Sequence, residues 1–90
     1  MKTREKITIH KLKTWPSFFQ VVLNGDKPFE VRKNDRNFKI GDRLDLLEYD
    51  PDDESYTGRH CHRWITYILD YNPFIDLHGY IIMGLTDIER

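Results

Sequence analysis

The sequence predicts a small, mainly β domain with one or two short helices, an α+β chain whose strands close or nearly close into a barrel. A helical spacing of apolar residues occurs once, after a first strand-like segment, and about five further strand-like segments follow it. Many short strands expose many edges, and closure into a barrel hides them. The 90 residues are enough for a single domain, which is predicted to span residues 1–90.

The chain begins with a strand-like segment and continues into a helix. Ile7 and Ile9 alternate with Thr8 and His10, so we expect a strand over residues 7–13. Pro16 suits the first turn of a helix, where no backbone N–H is needed. The Asn24-Gly25 pair predicts the end of that helix, because glycine readily adopts the left-handed conformation that closes a helix. The apolar face of the helix is predicted to consist of Phe18, Phe19, Val22 and Leu23.

Strand patterns and turn signals alternate through the rest of the chain. Strands are predicted at residues 29–33, 43–49, 59–69 and 79–86. Between them, the acidic segment 50–58 is predicted to form a hairpin loop and residues 70–78 a connecting loop. A period of two in the long strand places Tyr67 in the core with Ile65, and Trp64 on the opposite, more exposed face.

The amino-acid composition excludes several classes of protein. The single Cys61 rules out an internal disulfide and suits a reducing compartment. No apolar run approaches the roughly 20 residues that a membrane-spanning helix needs, and the start of the chain lacks the apolar region of a signal peptide. We therefore expect a cytoplasmic protein with no membrane partner.

Charge is distributed unevenly along the chain, although the net charge is only −1. Residues 1–39 contain ten Lys or Arg and four acidic residues, whereas residues 40–90 contain four and eleven. Such asymmetry indicates a polyanionic partner for the basic half. Attraction between the two halves within one folded domain explains it equally well, so charge alone does not decide.

The segment 25–42 is the predicted functional centre. It contains five basic and four acidic residues in eighteen positions, which is more charge than a segment needs merely to fold. A period of two places Phe29 and Val31 toward the core. Glu30 and Arg32 then share the other face, and we expect an ion-rich surface that is fixed to a strand.

Three residues of this segment carry the candidate chemistry. Arg32 can grip a phosphate or a base edge with its fork of donors, and Glu30 can accept a hydrogen bond from an exocyclic amine. Lys27 can supply charge or act as a base. The alternative is a structural ion pair, in which Glu30 neutralises Lys27 or Arg32.

The residues that follow extend the candidate binding surface. Lys33 and Arg36 can neutralise phosphates, and Asn34 shares the predicted strand face of Glu30. Asn34 and Asp35 are also typical turn residues, because short polar side chains bond their own backbone. A solvated basic face is the competing explanation for the cations.

Aromatic and histidine residues offer further candidates. Trp15 and Trp64 can stack on unpaired bases, and Trp15 is also placed to act as a hydrophobic staple for the helix. His60 and His62 share a strand face, but a zinc site needs three or four ligands with support around them. We predict neither a metal nor a cofactor.

Four short motifs resemble a known group of proteins. They are L-K-x-x-P at residues 12–16, G-x-K-x-F-E-x-R at residues 25–32, N-D-R-x-F at residues 34–38 and G-D at residues 41–42. This pattern resembles the ASCH superfamily of PUA-like proteins, and more narrowly a bacterial and phage branch that is called a domain of unknown function. The resemblance implies a PUA-like β-barrel in which the segment Lys27–Arg36 lines a cleft beside the helix.

The resemblance also implies a function. RNA binding is the role usually inferred for this superfamily, and His10 lies on the first strand, near the place where the implied cleft opens. His10 is either a ligand contact or a core histidine with its own partner. Some ASCH members are amidohydrolases on N4-acetylcytidine, with a lysine at the position of Lys27 and a threonine three residues later. Glu30 replaces that threonine, which removes the hydroxyl nucleophile and favours a domain that is not an enzyme.

We therefore predict an RNA- or nucleotide-binding PUA-like module that is a monomer or a weak dimer. Its predicted site residues are His10, Lys27, Glu30, Arg32, Lys33, Asn34 and Arg36. The alternatives are a small amidohydrolase that uses Lys27 and Glu30 on an acylated nucleoside, and a phage-derived protein-interaction domain.

Overall fold

The computed structural model describes residues 7–89, which form one helix and five strands. In chain order these are β1 (Ile9–Thr14), α1 (Pro16–Leu23), β2 (Phe29–Lys33), β3 (Arg43–Asp50), β4 (Ser55–Leu69) and β5 (Tyr80–Thr86). The prediction of a mainly β fold with a short helix after the first strand is confirmed.

The five strands form one sheet in the order β1-β3-β4-β5-β2. Strands β1 and β3 are parallel, and the other three neighbouring pairs are antiparallel. The sheet curls into a half-barrel, so its two edge strands, β1 and β2, lie across a gap that no backbone ladder between the described strands closes. We call this gap between β1 and β2 the seam.

Helix α1 begins at Pro16 and ends at Leu23, as the proline and the Asn-Gly pair predict. Phe19 and Val22 are buried, whereas Phe18 and Leu23 are exposed, so the apolar face is narrower than predicted. The apolar core consists of Leu12, Phe19, Val22, Phe38, Leu44, Leu46, Cys61, Ile65, Ile81, Met83 and Leu85. The helix thus fills the concave side of the sheet with two side chains.

Strand β1 begins two residues later than predicted, and it buries polar as well as apolar side chains. His10, Leu12 and Thr14 are buried, whereas Ile9 is 46% exposed. The two buried polar side chains have hydrogen-bond partners, because His10 bonds Asp42 and Thr14 donates to the carbonyl of Leu12. Satisfied polar groups can be buried at little cost, which is why the inward row need not be the apolar one.

Strand β2 faces the opposite way from the prediction. Glu30 lies opposite the fully buried Met83 of β5, and directly opposite residues of an antiparallel pair share a face. Glu30 and Arg32 therefore point to the inner side, and Phe29 and Val31 lie on the outer face, where they are partly exposed. The predicted inward direction of Phe29 and Val31 is wrong, and the charged pair faces the concave side.

Strand β4 is longer than predicted and contains a β-bulge. It begins at Ser55 rather than Arg59, so the acidic loop before it is shorter than expected. A register shift against β5 lies between Ile65 and Tyr67. The extra residue at Thr66 reverses the alternation, so Ile65 is buried but Tyr67 is 60% exposed. The predicted core position of Tyr67 is therefore wrong.

Cys61 and Trp64 lie on opposite faces of β4, as the period of two predicts. Cys61 is buried opposite Leu46 of β3. Trp64 is only half-buried, and its indole N–H is enclosed without a hydrogen-bond partner among residues 7–89. Trp64 is therefore less exposed than the sequence suggested.

Candidate ligand-binding site

A cleft of about 520 Å³ opens at the seam, beside the start of α1. It is lined by Lys13, Thr14, Trp15, Phe18, Lys27, Glu30, Val31, Arg32 and Tyr80. The structure thus brings together three of the predicted site residues, Lys27, Glu30 and Arg32. We call this cavity the seam cleft.

Glu30 is the most enclosed charged residue of the seam cleft, at 3% exposure. Its Oε2 accepts a hydrogen bond of 2.7 Å from Nε of Arg32. Its Oε1 is buried and has no hydrogen-bond partner among residues 7–89, and Nζ of Lys27 lies 3.7 Å from it. Buried carboxylate oxygens normally accept hydrogen bonds, so this oxygen is free to take a donor from a ligand.

Arg32 spans the seam. Its Nη1 donates to the carbonyl oxygen of Lys13 at 3.0 Å, and its Nη2 donates to Oγ1 of Thr14 at 3.1 Å. With the bond to Glu30, these contacts engage three N–H donors of the guanidinium group. Arg32 is therefore a structural link between β2 and β1, with fewer free donors for a phosphate than the sequence suggested.

Arg36 makes a second link of the same kind. Its Nη1 donates to the carbonyl oxygen of Lys11 at 2.8 Å. Lys11 and Lys13 lie on the free edge of β1, because alternate residues of a strand direct their backbone groups away from the paired neighbour. Two arginines thus bond the edge that another strand would satisfy in a closed barrel. Arg36 itself does not line the seam cleft.

Lys27 reaches the seam cleft through the turn after α1. Gly25 has a φ of +84°, which an L side chain rarely adopts, and the N–H of Lys27 then donates to the carbonyl of Val21 at 3.0 Å. The Nζ of Lys27 lies 5.0 Å from the ring centroid of Phe18. Held between this ring and the Glu30 carboxylate, the ammonium group adds a positive charge to the cleft wall.

Aromatic side chains form the accessible wall of the seam cleft. Trp15, Phe18 and Tyr80 are 52%, 53% and 46% exposed. Trp15 is the N-cap residue of α1, whereas a hydrophobic staple is made by the residue before the cap, so that prediction is wrong. Exposed ring faces beside a polar group suit the stacking of a planar ligand.

His10 lies away from the seam cleft, on the inner face of β1. It is buried, its Nε2 is 2.8 Å from Oδ2 of Asp42, and its ring centroid is 4.6 Å from that of Phe38. Of the two alternatives for His10, the structure therefore supports a core histidine with its own partner.

Lys33 and Asn34 lie beyond the seam cleft, at the end of β2. The N–H of Asn34 donates to the carbonyl of Gly79 at 2.9 Å and continues the ladder between β2 and β5. The N–H of Asp35 donates to the carbonyl of Lys33, which forms the predicted turn. Lys33 is exposed at the margin of the sheet, so the structure does not bring it or Asn34 to the cleft.

Sequence reasoning missed Thr14 and Tyr80, and it assigned Phe18 to the core. Thr14 is buried, and its hydroxyl donates to the carbonyl of Leu12 and accepts from Arg32. These residues come from the ends of separate elements, so no local pattern shows that they converge. The position of Thr14 at the junction of a strand and a helix was the one available signal.

The single thiol is part of the core. Burial raises the pKa of the Cys61 thiol above its ordinary value of 9.0; among nearby charges, Arg63 and Arg59 lower it, whereas Glu30 and Asp45 raise it. A thiol that stays protonated behaves as a small apolar side chain rather than as a nucleophile.

Metal ligands do not converge in the part of the chain that the structure describes. No group of three or more His, Cys, Asp or Glu side chains could hold an ion there. The rings of His60 and His62 are 5.8 Å apart, and their neighbour Asp45 is held by two hydrogen bonds from Arg43. Among the same residues, no helix is long and apolar enough to cross a membrane.

Comparison with known proteins places the cleft within a described family. The chain is similar to a protein of Escherichia phage P2 named "Uncharacterized 12.9 kDa protein in GpA 3′ region", with 37% identity over 68 residues. That alignment covers 76% of this chain and 61% of the phage protein, so the chain spans about three fifths of the length of this curated relative. Residues 9–85, which include every residue that lines the seam cleft, match a family model. The chain belongs to the family described as "Domain of unknown function (DUF3850)".

Proposed function

We propose that the seam cleft binds a nucleotide, free or within RNA, and that the domain is a non-catalytic RNA- or nucleotide-binding module. One observation carries the proposal. A buried carboxylate, Glu30, leaves one oxygen without a hydrogen bond in a cleft whose other wall is made of aromatic rings. A nucleobase offers both of the matching features, an N–H donor on its edge and a flat ring.

The free oxygen of Glu30 defines what the ligand must supply. Leaving a buried acceptor without a partner costs roughly 1–3 kcal/mol, and a donor from the ligand recovers that free energy. An exocyclic amine of a base is such a donor, and a carboxylate is its usual acceptor in base recognition. The base can stack on Trp15 or Phe18, whose rings are half-exposed at the same cleft.

Basic side chains around the seam cleft supply attraction for phosphates. Lys13 and Lys27 line the cleft, and neither is tied by a hydrogen bond from its Nζ to another described residue. The uneven charge of the chain points the same way, because the basic half contains β1, α1 and β2. The resemblance of the motifs to RNA-binding ASCH proteins is further support for the proposal.

The test is a fluorescence-anisotropy titration of short single-stranded and hairpin RNAs at two salt concentrations. We expect binding that weakens as salt rises, and a loss of roughly tenfold or more for Trp15→Ala, because base stacking contributes about 1–3 kcal/mol. Tyr56→Ala is the matched control, since Tyr56 is similarly exposed, at 56%, on the hairpin away from the cleft. No binding at low salt, or equal losses for both variants, would contradict the proposal.

A second candidate function is hydrolysis of an acylated nucleoside. The observation in its favour is that Lys27 and Glu30 form a pair at 3.7 Å inside the seam cleft. If this function is correct, Lys27→Ala abolishes the release of acetate from N4-acetylcytidine, whereas Lys39→Ala, at an exposed lysine outside the cleft, does not. Absence of turnover by the unaltered protein rejects the hydrolase and leaves the binding module in place.

A further inference from the structure

We infer that the main chain of Val31 is part of the binding site, and that the seam cleft therefore takes a nucleotide whose base is unpaired. The inference rests on the proposed function and deepens it, because it names the state in which an RNA must present its base. Val31 lines the seam cleft although its side chain lies on the outer face of the sheet. What this residue offers at the seam is its backbone.

The hydrogen bonds between β2 and β5 fix the direction of the Val31 backbone groups. At one end of this ladder the N–H of Asn34 donates to the carbonyl of Gly79. At the other end the N–H of Leu85 donates to the carbonyl of Pro28. Alternate residues of a strand bond the same neighbour, so the even-numbered residues of β2 bond β5. Val31 therefore directs its N–H and C=O toward the seam, where β2 has no neighbouring strand.

These main-chain groups are free to bind a ligand. Neither the N–H nor the C=O of Val31 has a hydrogen-bond partner among residues 7–89. Main-chain groups without a partner in the protein are satisfied by water or by a ligand. The preceding residue, Glu30, contributes the free Oε1 to the same cleft. Two consecutive residues thus offer a donor and an acceptor side by side.

The arginine links across the seam decide what kind of molecule can reach these groups. Arg32 crosses to Lys13, and Arg36 crosses to Lys11. A peptide strand added along β2 would need the length of the seam and would have to displace both links. The seam cleft is lined by Arg32 but not by Arg36 or Lys11, and its volume of about 520 Å³ is ordinary for a small-ligand pocket. The observations therefore favour a compact ligand that bonds the backbone of a single residue.

The edge of an unpaired base matches this pair of groups. Every base carries an N–H donor next to an acceptor on its Watson–Crick edge, and proteins that recognise single-stranded RNA use this edge. The donor of the base bonds Oε1 of Glu30, and its acceptor takes the N–H of Val31. In a duplex the complementary base occupies both positions, so a paired nucleotide cannot make these bonds. Because all four bases share the pattern, discrimination against duplex RNA is strong and discrimination among bases is weak.

The first test compares a short single-stranded RNA with the same RNA annealed to its complement, by fluorescence anisotropy at low salt. We expect the duplex to bind roughly tenfold or more weakly, although it carries more phosphates. Equal or tighter binding of the duplex would overturn the inference and leave a phosphate-binding function in place. If neither RNA binds, the proposed function fails and this inference fails with it.

The second test removes the N–H of Val31. Val31→Pro is compared with Val31→Ala, which keeps the N–H, and the control pair is Lys33→Pro and Lys33→Ala at a free-edge position outside the seam cleft. Proline is tolerated on an edge strand where its missing N–H lies outside the ladder. Because one hydrogen bond is lost, we expect the proline variant to bind RNA roughly fivefold more weakly than the alanine variant at residue 31, and within about twofold at residue 33.

The outcomes of the second test separate this inference from the proposed function. Equal proline effects at residues 31 and 33 would indicate a strand added along the whole edge, and no proline effect at residue 31 would mean that its N–H is not used. Either result would overturn the inference while RNA binding stands. Circular dichroism verifies the fold of each proline variant. If Val31→Pro does not fold, the comparison of single-stranded and duplex RNA decides alone.

Discussion

Two carboxylate–arginine pairs, each two residues apart on one strand, differ in what they leave unsatisfied. On β3, Arg43 donates to both oxygens of Asp45, at 2.8 and 3.2 Å. On β2, Arg32 donates only from Nε to one oxygen of Glu30. Both oxygens of Asp45 are thus satisfied, and we call this the closed pair. The pair on β2 keeps one buried oxygen of Glu30 without a hydrogen bond at the seam cleft.

The cause of the difference lies in the neighbouring strand. β3 is paired on both sides, and among residues 7–89 the side chain of Arg43 donates to Asp45 alone. Arg32 stands at a free edge, and its Nη1 and Nη2 turn away from Glu30 to bond Lys13 and Thr14. The open seam therefore draws donors away from the carboxylate, and this is what leaves Glu30 able to accept a hydrogen bond from a ligand.

The largest expected effect is on stability. Arg32→Ala removes the partner of a buried carboxylate and two links across the seam, so we expect a loss of about 3 kcal/mol in the free energy of unfolding. Arg43→Ala also leaves a buried carboxylate without its arginine, but Asp45 keeps a contact of 3.5 Å with His62 and no link between the described strands is broken, so we expect a smaller loss of about 2 kcal/mol. Urea denaturation measures both, and equal losses would show that the two pairs are equivalent.

The next largest expected effect is on RNA affinity, which should differ between substitutions of the two carboxylates. Glu30→Gln keeps the shape of the side chain but places an amide N–H₂ where the free oxygen was, since the amide oxygen faces Arg32. We expect RNA affinity to fall roughly tenfold or more, because a buried hydrogen bond to a charged group is lost. Asp45→Asn is the matched change in the closed pair and should leave the affinity within about twofold. The fluorescence-anisotropy titration with RNA measures both variants. A comparable loss of affinity for Asp45→Asn would show that the two pairs do not differ in ligand binding.

Cys61 reports on both carboxylates from within the core. Because burial and the negative charges of Glu30 and Asp45 raise its pKa, Glu30→Gln should lower that pKa more than Asp45→Asn does, Glu30 being the stronger influence. The pH dependence of alkylation by iodoacetamide measures the shift in each variant. A larger shift for Asp45→Asn would reverse the order that the structure implies.

The raised pKa also predicts a small dependence of stability on pH. The folded chain keeps the thiol of Cys61 protonated at a pH where the unfolded chain ionises. Its contribution to the free energy of unfolding is therefore constant below the ordinary pKa of 9.0 and decreases as pH rises above it. Urea denaturation at pH 8 and pH 10, as rough bounds of this window, should show a decrease that Cys61→Ala reduces. If the free energy of unfolding decreases equally in Cys61→Ala, the pH dependence comes from other groups.

The positions of the helix and the strands could be predicted from the sequence, but not which side of each strand faces the core. Pro16 and the Asn24-Gly25 pair set the ends of α1 because they act through local backbone geometry, which requires no knowledge of the fold. The directions of β1 and β2 depend on partners that are distant in sequence. Glu30 faces inward because Arg32 and Lys27 neutralise it there, and no local alternation of apolar residues carries that information.

The same limit applies to the candidate site. The charge density of segment 25–42 identified Lys27, Glu30 and Arg32, since these lie close together on the chain. It could not show that Arg36 is used to bond β1, because this depends on how far the sheet curls. The bulge at Thr66, which turns Tyr67 outward, also has no signal in the alternation itself.

The closure of the half-barrel by side chains has a consequence for the size of ligand that it can admit. A barrel that is closed by a backbone ladder widens only when a run of hydrogen bonds breaks together. Here Arg32 and Arg36 bridge the seam through separate side-chain hydrogen bonds, and each can break without the other. The width of the seam can therefore change when these two side chains move, and the domain can admit a larger ligand while every strand keeps its register.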